Sequence, residues 1–521
     1  MLPSPSSSPV HPQILHNRTN VVDECIPPPH IPRPFFTQLP TPPTKHAGVK
    51  RVATSQNRSP IKRLKLSAED ESESSDDDED EFVVEPKTPR HSIHRFWPQD
   101  PYQRAAPAAV STRSILQSFV SSNKSDTFKC QSIDLSSFLT PPYACAYSHH
   151  SKSGGESLLA VATEQGSVHL IDTKKRRDWD LEPPRTTLQP HTNAIFHVAW
   201  APTDELLATC SGDHSSKIVN VSSKEVLYSL RGHTGTVKCA AWNPQHQDLL
   251  STGGRDGTIC IWDLRVGENR GHNSGPILEP VMMIQGAHES LNTKPGRPKN
   301  AIKAKSVTNL VYNGSDSLTS SGSFDGILRT WDLRFLTDKK KSKRTKGKKT
   351  TPICISSTDP TTDHGARRPR GILSLAPGTI STSGLLFALG ADSRIHTFSA
   401  STLTPLPVSY AHQSLKVNSS FYLNMAISPC GRWLASGNGG RDGSCLLFDV
   451  ASAGRPFARA EDGIELKGQI GEVGAVDWAE NMLATCSDDG TVRVWRPDIE
   501  TYKTCVESPE QGKWDWSWSL S

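Results

Sequence analysis

Gly232-His233, Val237-Lys238-Cys239-Ala240-Ala241-Trp242, Leu249-Leu250-Ser251-Thr252-Gly253-Gly254, Arg255-Asp256-Gly257 and Thr258-Ile259-Cys260-Ile261-Trp262-Asp263 follow one another as a single unit. Short apolar runs are parted by a proline-bearing turn at Asn243-Pro244 and by Asp256-Gly257. Apolar runs bounded by turn residues read as strands, and Asp-Gly marks a tight hairpin because glycine accepts positive φ without steric cost. The hairpin aspartate recurs at Asp213, Asp325, Asp392, Asp442 and Asp489. The two widest intervals, before Asp325 and before Asp392, each hold a lysine-rich insertion. An earlier unit, Leu158–Ala162 and Val168–Asp172, turns at Gln165-Gly166. Self-similarity at this period is the mark of a repeat architecture.

The unit at Gly232–Asp263 resembles a WD40 repeat, with its Gly-His and Trp-Asp signatures. The expected fold is therefore all-β: a seven-bladed WD40 β-propeller with a long disordered N-terminal tail. Four-stranded blades closed into a ring leave only short, protected edges. The match is uneven. Histidines stand near the expected place at His191, His233, His288 and His412, but the last unit has Gly468-Gln469. The fifth and sixth units end in Phe398 and Phe448 rather than tryptophan. His233, Asp256, Ser251 or Thr252, and Trp262 have the composition of a catalytic triad with an aromatic neighbour. They recur from unit to unit, whereas an active site needs one special constellation. The expected role is an internal hydrogen-bond network, in a protein that is not an enzyme. No phosphate loop, metal-ligand set or nucleophile elbow occurs, and no cofactor or metal is implied.

The chain has 521 residues, enough for one large domain and additional segments. Its net charge of +4 does not by itself mark a nucleic-acid binder. The 11 cysteines are scattered with no CxxC pair, which argues against a zinc ribbon and for reduced thiols in the cytosol or nucleus. The N-terminal MLPSPSSSPV lacks the charged and apolar regions of a signal peptide, and no apolar run is long enough to span a membrane.

Residues 1–105 hold 17 of the 39 prolines, so strands and helices are both disfavoured and a disordered tail is expected. Residues 106–140 read as a lead-in segment that takes part in blade closure. The propeller is expected over 141–496, with basic insertions near 289–305 and 339–349, and a short C-terminal segment over 497–521. Within the tail, Lys50-Arg51 and Lys62-Arg63-Leu64-Lys65 have the spacing of a bipartite nuclear localisation signal, implying importin as a partner and the nucleus as the location. Glu69–Glu81 is an acidic run broken only by serines, either a solvated segment or a kinase-tuned patch. Ser59-Pro60-Ile61-Lys62 matches a proline-directed kinase site, and Thr88-Pro89-Arg90 is a weaker one. A phosphate on Ser59 would add roughly −1.5 to −2 charge inside the basic signal.

Two consecutive units end alike: Trp262-Asp263-Leu264-Arg265 and Trp331-Asp332-Leu333-Arg334. This WDxR form resembles the box of WD40 receptors that dock on the double-propeller adaptor of cullin-4 ubiquitin ligases. Each arginine follows the third strand of its blade and points to the bottom face, where it can make charge-assisted hydrogen bonds. Further stretches, in order, sharpen the likeness: Pro141–Ala146, Leu159–Gly166, Asn193–Trp200, Gly253–Gly257, Gly286-Ala287-His288 and Ala484–Asp489. Together they resemble the denticleless family of substrate receptors over roughly residues 140–496, the tail excluded. The resemblance implies a receptor that joins the adaptor to degron-bearing proteins on the DNA-loaded sliding clamp. Their ubiquitylation follows in S phase and after DNA damage. Typical targets are a replication-licensing factor, cell-cycle inhibitors and a histone methyltransferase, and in fungi an inhibitor of ribonucleotide reductase. Animal members carry a long C-terminal extension with a clamp-binding motif, whereas this chain runs about 25 residues beyond Trp495.

Arg90, Ile93, Phe96 and Trp97 have the spacing of a clamp-interacting box, or else the two aromatics pack on the propeller side. Lys294-Pro295-Gly296-Arg297-Pro298-Lys299 has the core of an AT-hook without the preceding arginine. Lys339–Lys349 carries eight basic residues in eleven, a solvated loop or a weak contact to DNA phosphates. Two function classes remain. One is a nuclear cullin-4 substrate receptor; the other is a WD40 scaffold in chromatin or RNA processing with no ligase link. The tandem WDxR boxes favour the first.

Overall fold

The computed structural model describes residues 111–520, apart from 135–136, 267–275, 290–304, 335–350, 364, 418–421 and 457. The tail therefore lies outside the described residues. With it go Lys50, Arg51, Lys62, Arg63 and Lys65, Ser59 and Thr88, the acidic run, and Arg90, Ile93, Phe96 and Trp97. The AT-hook-like stretch and Lys339–Lys349 also lie outside.

The chain folds as an all-β WD40 β-propeller. In each sheet a β-meander runs outward, every strand antiparallel to the one before. The first sheet comprises Pro142–Tyr147, Leu158–Thr163, Val168–Asp172 and Thr186–Leu188. The second comprises Ile195–Trp200, Leu206–Ser211, Ser215–Asn220 and Val226–Arg231, with Ile277–Leu278 added in parallel at its outer edge. The third is Val237–Trp242, Leu249–Gly254, Ile259–Asp263 and Met282–Ile284, the unit that opens the sequence analysis. The fourth is Val307–Tyr312, Ser317–Gly322, Arg329–Asp332 and Cys354–Ile355. The fifth is Ile372–Pro377, Leu385–Gly390, Arg394–Ser399 and Pro405–Tyr410.

The remaining strands form one ten-stranded sheet. Met425–Ile427, Trp433–Ser436, Ser444–Asp449 and Ile464–Lys467 make one meander in it, and Val473–Trp478, Leu483–Ser487 and Thr491–Pro497 make another. Two distant segments join them. Phe119–Ser122 pairs with Thr491–Pro497, and Trp516–Leu520 lies between Phe119–Ser122 and Ile464–Lys467. Thr127–Lys129 also pairs with Thr491–Pro497. Asp126 accepts from the Arg496 guanidinium beside this junction.

Second strands such as Leu206–Ser211 and Leu249–Gly254 are buried along almost their whole length. They lack apolar–polar alternation because both faces of each sheet are covered by neighbouring sheets. Ala208, Ile218 and Leu230 of the second sheet pack with Trp242, Leu250 and Trp262 of the third. Cys145, Leu159 and Ile171 of the first pack with Ala475, Ala484 and Val492. Indole donors at the ends of innermost strands add a directional tie: Trp200 Nε1 donates to Ala146 O at 2.9 Å, Trp242 to Ala199 O at 3.0 Å, and Trp478 to Ala426 O at 3.1 Å.

Polar networks fix the hairpin end. In the third sheet His233 Nδ1 lies 3.1 Å from Asp256 Oδ2, its Nε2 is 2.8 Å from Thr252 Oγ1, and Trp262 Nε1 donates to the same Oγ1 at 2.8 Å. Thr252, not Ser251, is the member; Ser251 Oγ pairs with the Tyr312 hydroxyl of the fourth sheet. One proton order satisfies all of it. Trp262 donates to Thr252, Thr252 to His233 Nε2, and His233 Nδ1–H to Asp256. His191, Asp213 and Thr209 repeat the arrangement in the second sheet. In the last unit Gln469 takes the histidine's place: Thr485 Oγ1 donates to its Oε1 at 2.7 Å, and Trp495 donates to Thr485. In the fourth sheet His288 meets Ser320 Oγ, which also accepts from Trp331, while Asp325 pairs with Lys305 instead. His412 accepts from the Ser414 amide.

Burial, helped by the nearby Arg329 and Lys305 charges, pushes the His288 imidazole down to about 3. Burial alone pushes His197 down to about 4, and burial with Arg185 does the same for His169. Each is neutral when folded and binds a proton when unfolded below pH about 6.5. Their contribution to stability is full above that pH and is lost as pH falls toward 3–4.

Urea unfolding tests both the network and the buried imidazoles. Thr252→Val leaves one buried donor and one buried acceptor without partners, and should cost about 2–5 kcal/mol. Ser251→Ala, which leaves this network intact, should cost less. Wild-type stability should fall between pH 6.5 and 5, and His288→Gln should flatten that slope by about 1.4 kcal/mol per pH unit, one proton's worth.

Candidate functional site: two arginine boxes on one face

Each third strand starts at the hairpin and runs away from it, so the ring has a hairpin face and an opposite face; in the third and fourth sheets that strand ends at a Trp-Asp step. Arg265 and Arg334 follow Ile259–Asp263 and Arg329–Asp332 and lie on the opposite face. The two boxes have the same geometry. Asp263 Oδ1 accepts from the Arg265 amide at 3.0 Å and from its Nε at 2.9 Å, while Oδ2 accepts from Nη2 at 2.9 Å. Asp332 Oδ1 accepts from the Arg334 amide at 2.9 Å and Nε at 3.1 Å, and Oδ2 from Nη2 at 2.8 Å. This is the bidentate fork that a planar guanidinium makes with a carboxylate. Hydrogen bonds from the arginines hold both aspartate carboxyls below the usual range.

The arginine side chains remain 64% and 63% exposed, although each is bound on one edge. The result is an exposed guanidinium held along one edge, so less rotamer freedom is lost on meeting a partner. A second carboxylate stands near each: Asp248 at 3.9 Å from Arg265 and Asp316 at 4.0 Å from Arg334. Sequence reading missed these two. Their signal is an aspartate directly before the second strand, in Asp248-Leu249 and Asp316-Ser317. The sheets carrying the boxes are neighbours, and Asn243 Nδ2 crosses between them to Ser315 O at 2.7 Å.

The six box residues fall into three kinds. Trp262 and Trp331 were expected to share in partner contact, but they are 1% and 2% exposed and their indoles are bonded inward to Thr252 and Ser320. They cannot touch a partner. Asp263 and Asp332 orient the arginines, and Arg265 and Arg334 are the exposed members. The same turn recurs at Asp172 and Asp449, whose Oδ1 atoms accept from the amides of Lys174 and Ala451. Arginine follows only in the third and fourth sheets among these four turns.

Among the described residues, no group of three or more His, Cys, Asp or Glu side chains is arranged to hold a metal ion. No described helix is long and apolar enough to cross a membrane. The described cysteines are free thiols, most of them buried.

The WD domain, G-beta repeat family matches residues 182–220, 224–263, 408–449 and 464–496. The chain is 31% identical over 430 residues to Denticleless protein homolog A of Xenopus laevis, covering 79% of this chain and 55% of that one. It is 30% identical to the Denticleless protein homolog of Homo sapiens, over 68% of this chain and 46% of that one. For Protein lethal(2)denticleless of Drosophila melanogaster the values are 30%, 67% and 44%. The chain thus spans about half the length of these curated relatives. It is a WD40-repeat protein with Denticleless homologues along about two thirds or more of its length.

Proposed function

We propose that this protein is the non-catalytic substrate receptor of a nuclear cullin-4 RING ubiquitin ligase. In this reading it brings degron-bearing proteins held on the DNA-loaded sliding clamp to the ligase in S phase and after DNA damage. The observation that carries it is the pair of identically held, exposed arginines, Arg265 and Arg334, on one face of neighbouring sheets. That face docks the double-propeller adaptor. The Denticleless homologues support the receptor class.

The propeller is read as seven-bladed. In support, each half of the ten-stranded sheet has the meander of a blade. Innermost strands neighbour one another from Pro142–Tyr147 round to Val473–Trp478, which packs back on the first. The tail is read as the nuclear address, through Lys50-Arg51 and Lys62-Arg63-Lys65. Its Arg90, Ile93, Phe96 and Trp97 are read as a secondary clamp contact, which would raise effective concentration in a multi-contact complex.

Arg265→Ala and Arg334→Ala should each leave the thermal unfolding midpoint unchanged and lower adaptor affinity by about tenfold or more, with the double variant losing co-purification. Normal adaptor recovery with the double variant would sink the ligase reading. Changing Lys62, Arg63 and Lys65 to alanine should move a fluorescent fusion toward the cytoplasm. Unchanged nuclear fluorescence would remove the tail from the model of entry.

A further inference from the structure

On the hairpin face, six of the innermost strands share an irregularity. Pairing with the second strand shifts register between Pro142 and Ala144, Ile195 and His197, Val237 and Cys239, Val307 and Asn309, Ile372 and Ser374, and Val473 and Ala475. The bulged residue is, in order, Tyr143, Phe196, Lys238, Thr308, Leu373 and Gly474. A β-bulge takes one residue out of the ladder and re-aims its side chain, and bulges concentrate beside binding sites.

Three of these residues build a continuous stack with a fourth from outside the strands. The Tyr143 ring lies 5.8 Å from Phe196 with 3° between planes, and 4.7 Å from Tyr422 with 27°. Lys238 Nζ sits 4.5 Å over the Phe196 ring. Tyr422 precedes Met425–Ile427, and its hydroxyl meets Asp488 Oδ1 at 3.2 Å. Gly474 makes room for it: a Cβ there would lie 2.5 Å from the Tyr422 ring. The segment is pinned by Asn424, whose amide donates to Gly474 O at 2.9 Å and whose Oδ1 accepts from Val476 N at 2.8 Å. Tyr143, Phe196, Lys238, Tyr422 and Asp488 are all half-buried, so the stack is ordered and still reachable.

We propose that Tyr422, Tyr143, Phe196 and Lys238 form a peptide-binding platform on the hairpin face. Its occupant is an extended segment of a target protein whose lysine or arginine packs on Tyr143 and Tyr422 beside Asp488, with an acidic residue near Lys238. This deepens the receptor reading, on which it rests, by naming the chemistry of the target segment.

Charge complementarity selects the occupant. The Tyr143–Tyr422 end is electronegative. Burial, with the Glu472, Asp489 and Glu164 carboxylates, holds the Asp488 carboxyl above its usual range. Burial and Glu164 push the Tyr143 phenol up to about 12. A guest cation relieves that crowding of like charge, and a ring face attracts it. The other end carries Lys238, with the Arg255 charge near it. Burial and Arg255 push the Lys238 ammonium down to about 7, so an acidic neighbour would favour its charged form. Lys238 over Phe196 already shows the cation-on-ring geometry within the chain. The stack accommodates about four residues of extended peptide, which sets the largest spacing between the basic and acidic side chains. Polyanions such as nucleic acid are repelled at the Asp488 end.

The test pans a displayed library of random linear peptides on the full-length protein and titrates a fluorescent copy of the most enriched one. Enriched peptides should share a lysine or arginine with an acidic residue about four positions away. Replacing that basic residue by glutamine should weaken binding about tenfold or more. So should Tyr422→Ala, Asp488→Asn and Gly474→Ala, the last by filling the space of the Tyr422 ring. Thermal unfolding checks each variant, and Asp488→Asn with the glutamine peptide decides the matter if Tyr422→Ala does not fold. Enrichment without a basic residue, no enrichment, or affinity unmoved by Asp488→Asn would overturn the proposal. No ligase component is present, and Arg265→Ala with Arg334→Ala should leave peptide binding unchanged. A failure of adaptor docking is thus read separately from a failure of this platform.

Discussion

Every sheet here depends on having a neighbour on both faces. A strand such as Leu249–Gly254 presents buried side chains to either side. Removing one neighbour would expose apolar surface worth roughly 25 cal/mol per Å². Only a closed ring meets that demand for all sheets at once. The indole donors of Trp200, Trp242 and Trp478 set the angle at which one sheet meets the next, because each must reach a particular carbonyl of the preceding innermost strand. Closure itself falls to the far ends of the described chain. Phe119–Ser122 supplies an outer strand to Thr491–Pro497, and Trp516–Leu520 seals the gap to Ile464–Lys467.

The division of chemistry between the faces follows from strand direction. At one end the tight hairpins bring His, Thr, Trp and Asp into buried networks that hold the turns rigid. At the other, the chain leaves four of the third strands through an aspartate that caps its own turn. Where the residue two places on is arginine, that cap becomes a bidentate mount. The arginine face is therefore charged and ordered. The bulges give the hairpin face a different character, since they lift one side chain per strand out of the ladder and bring aromatics from separate sheets into one stack.

Much of this is legible along the chain because the signals are local. Asp256-Gly257, Trp262 and His233 lie within one unit, so their spacing reports the strands and the network joining them. Arg265 and Arg334 stand out because they follow a Trp-Asp step. Signals that need a partner from elsewhere are not legible. Gln469 keeps the hydrogen bond of the missing histidine because its amide oxygen accepts from Thr485 as an imidazole nitrogen would, which residue identity alone does not announce. The inward direction of Trp262 and Trp331 is a matter of which face of the strand is covered. A bulge leaves no mark in composition, and Tyr422 finds Tyr143 only after the ring brings the first and last innermost strands together.

The sequence repeats are offset from the sheets: the matched stretch 182–220 holds the last strand of the first sheet and the first three of the second. Synthesis therefore delivers each sheet with an edge still waiting for its final strand. The longest wait is at the junction. Phe119 is made well before Pro497, its partner, and at about 5–20 residues per second the interval is roughly 20–75 s. Throughout that time the nascent chain carries an open strand edge and an uncovered sheet face, the surfaces most apt to pair with a second nascent chain. The ring that makes the finished molecule insensitive to its edges thus makes its birth the moment of greatest exposure.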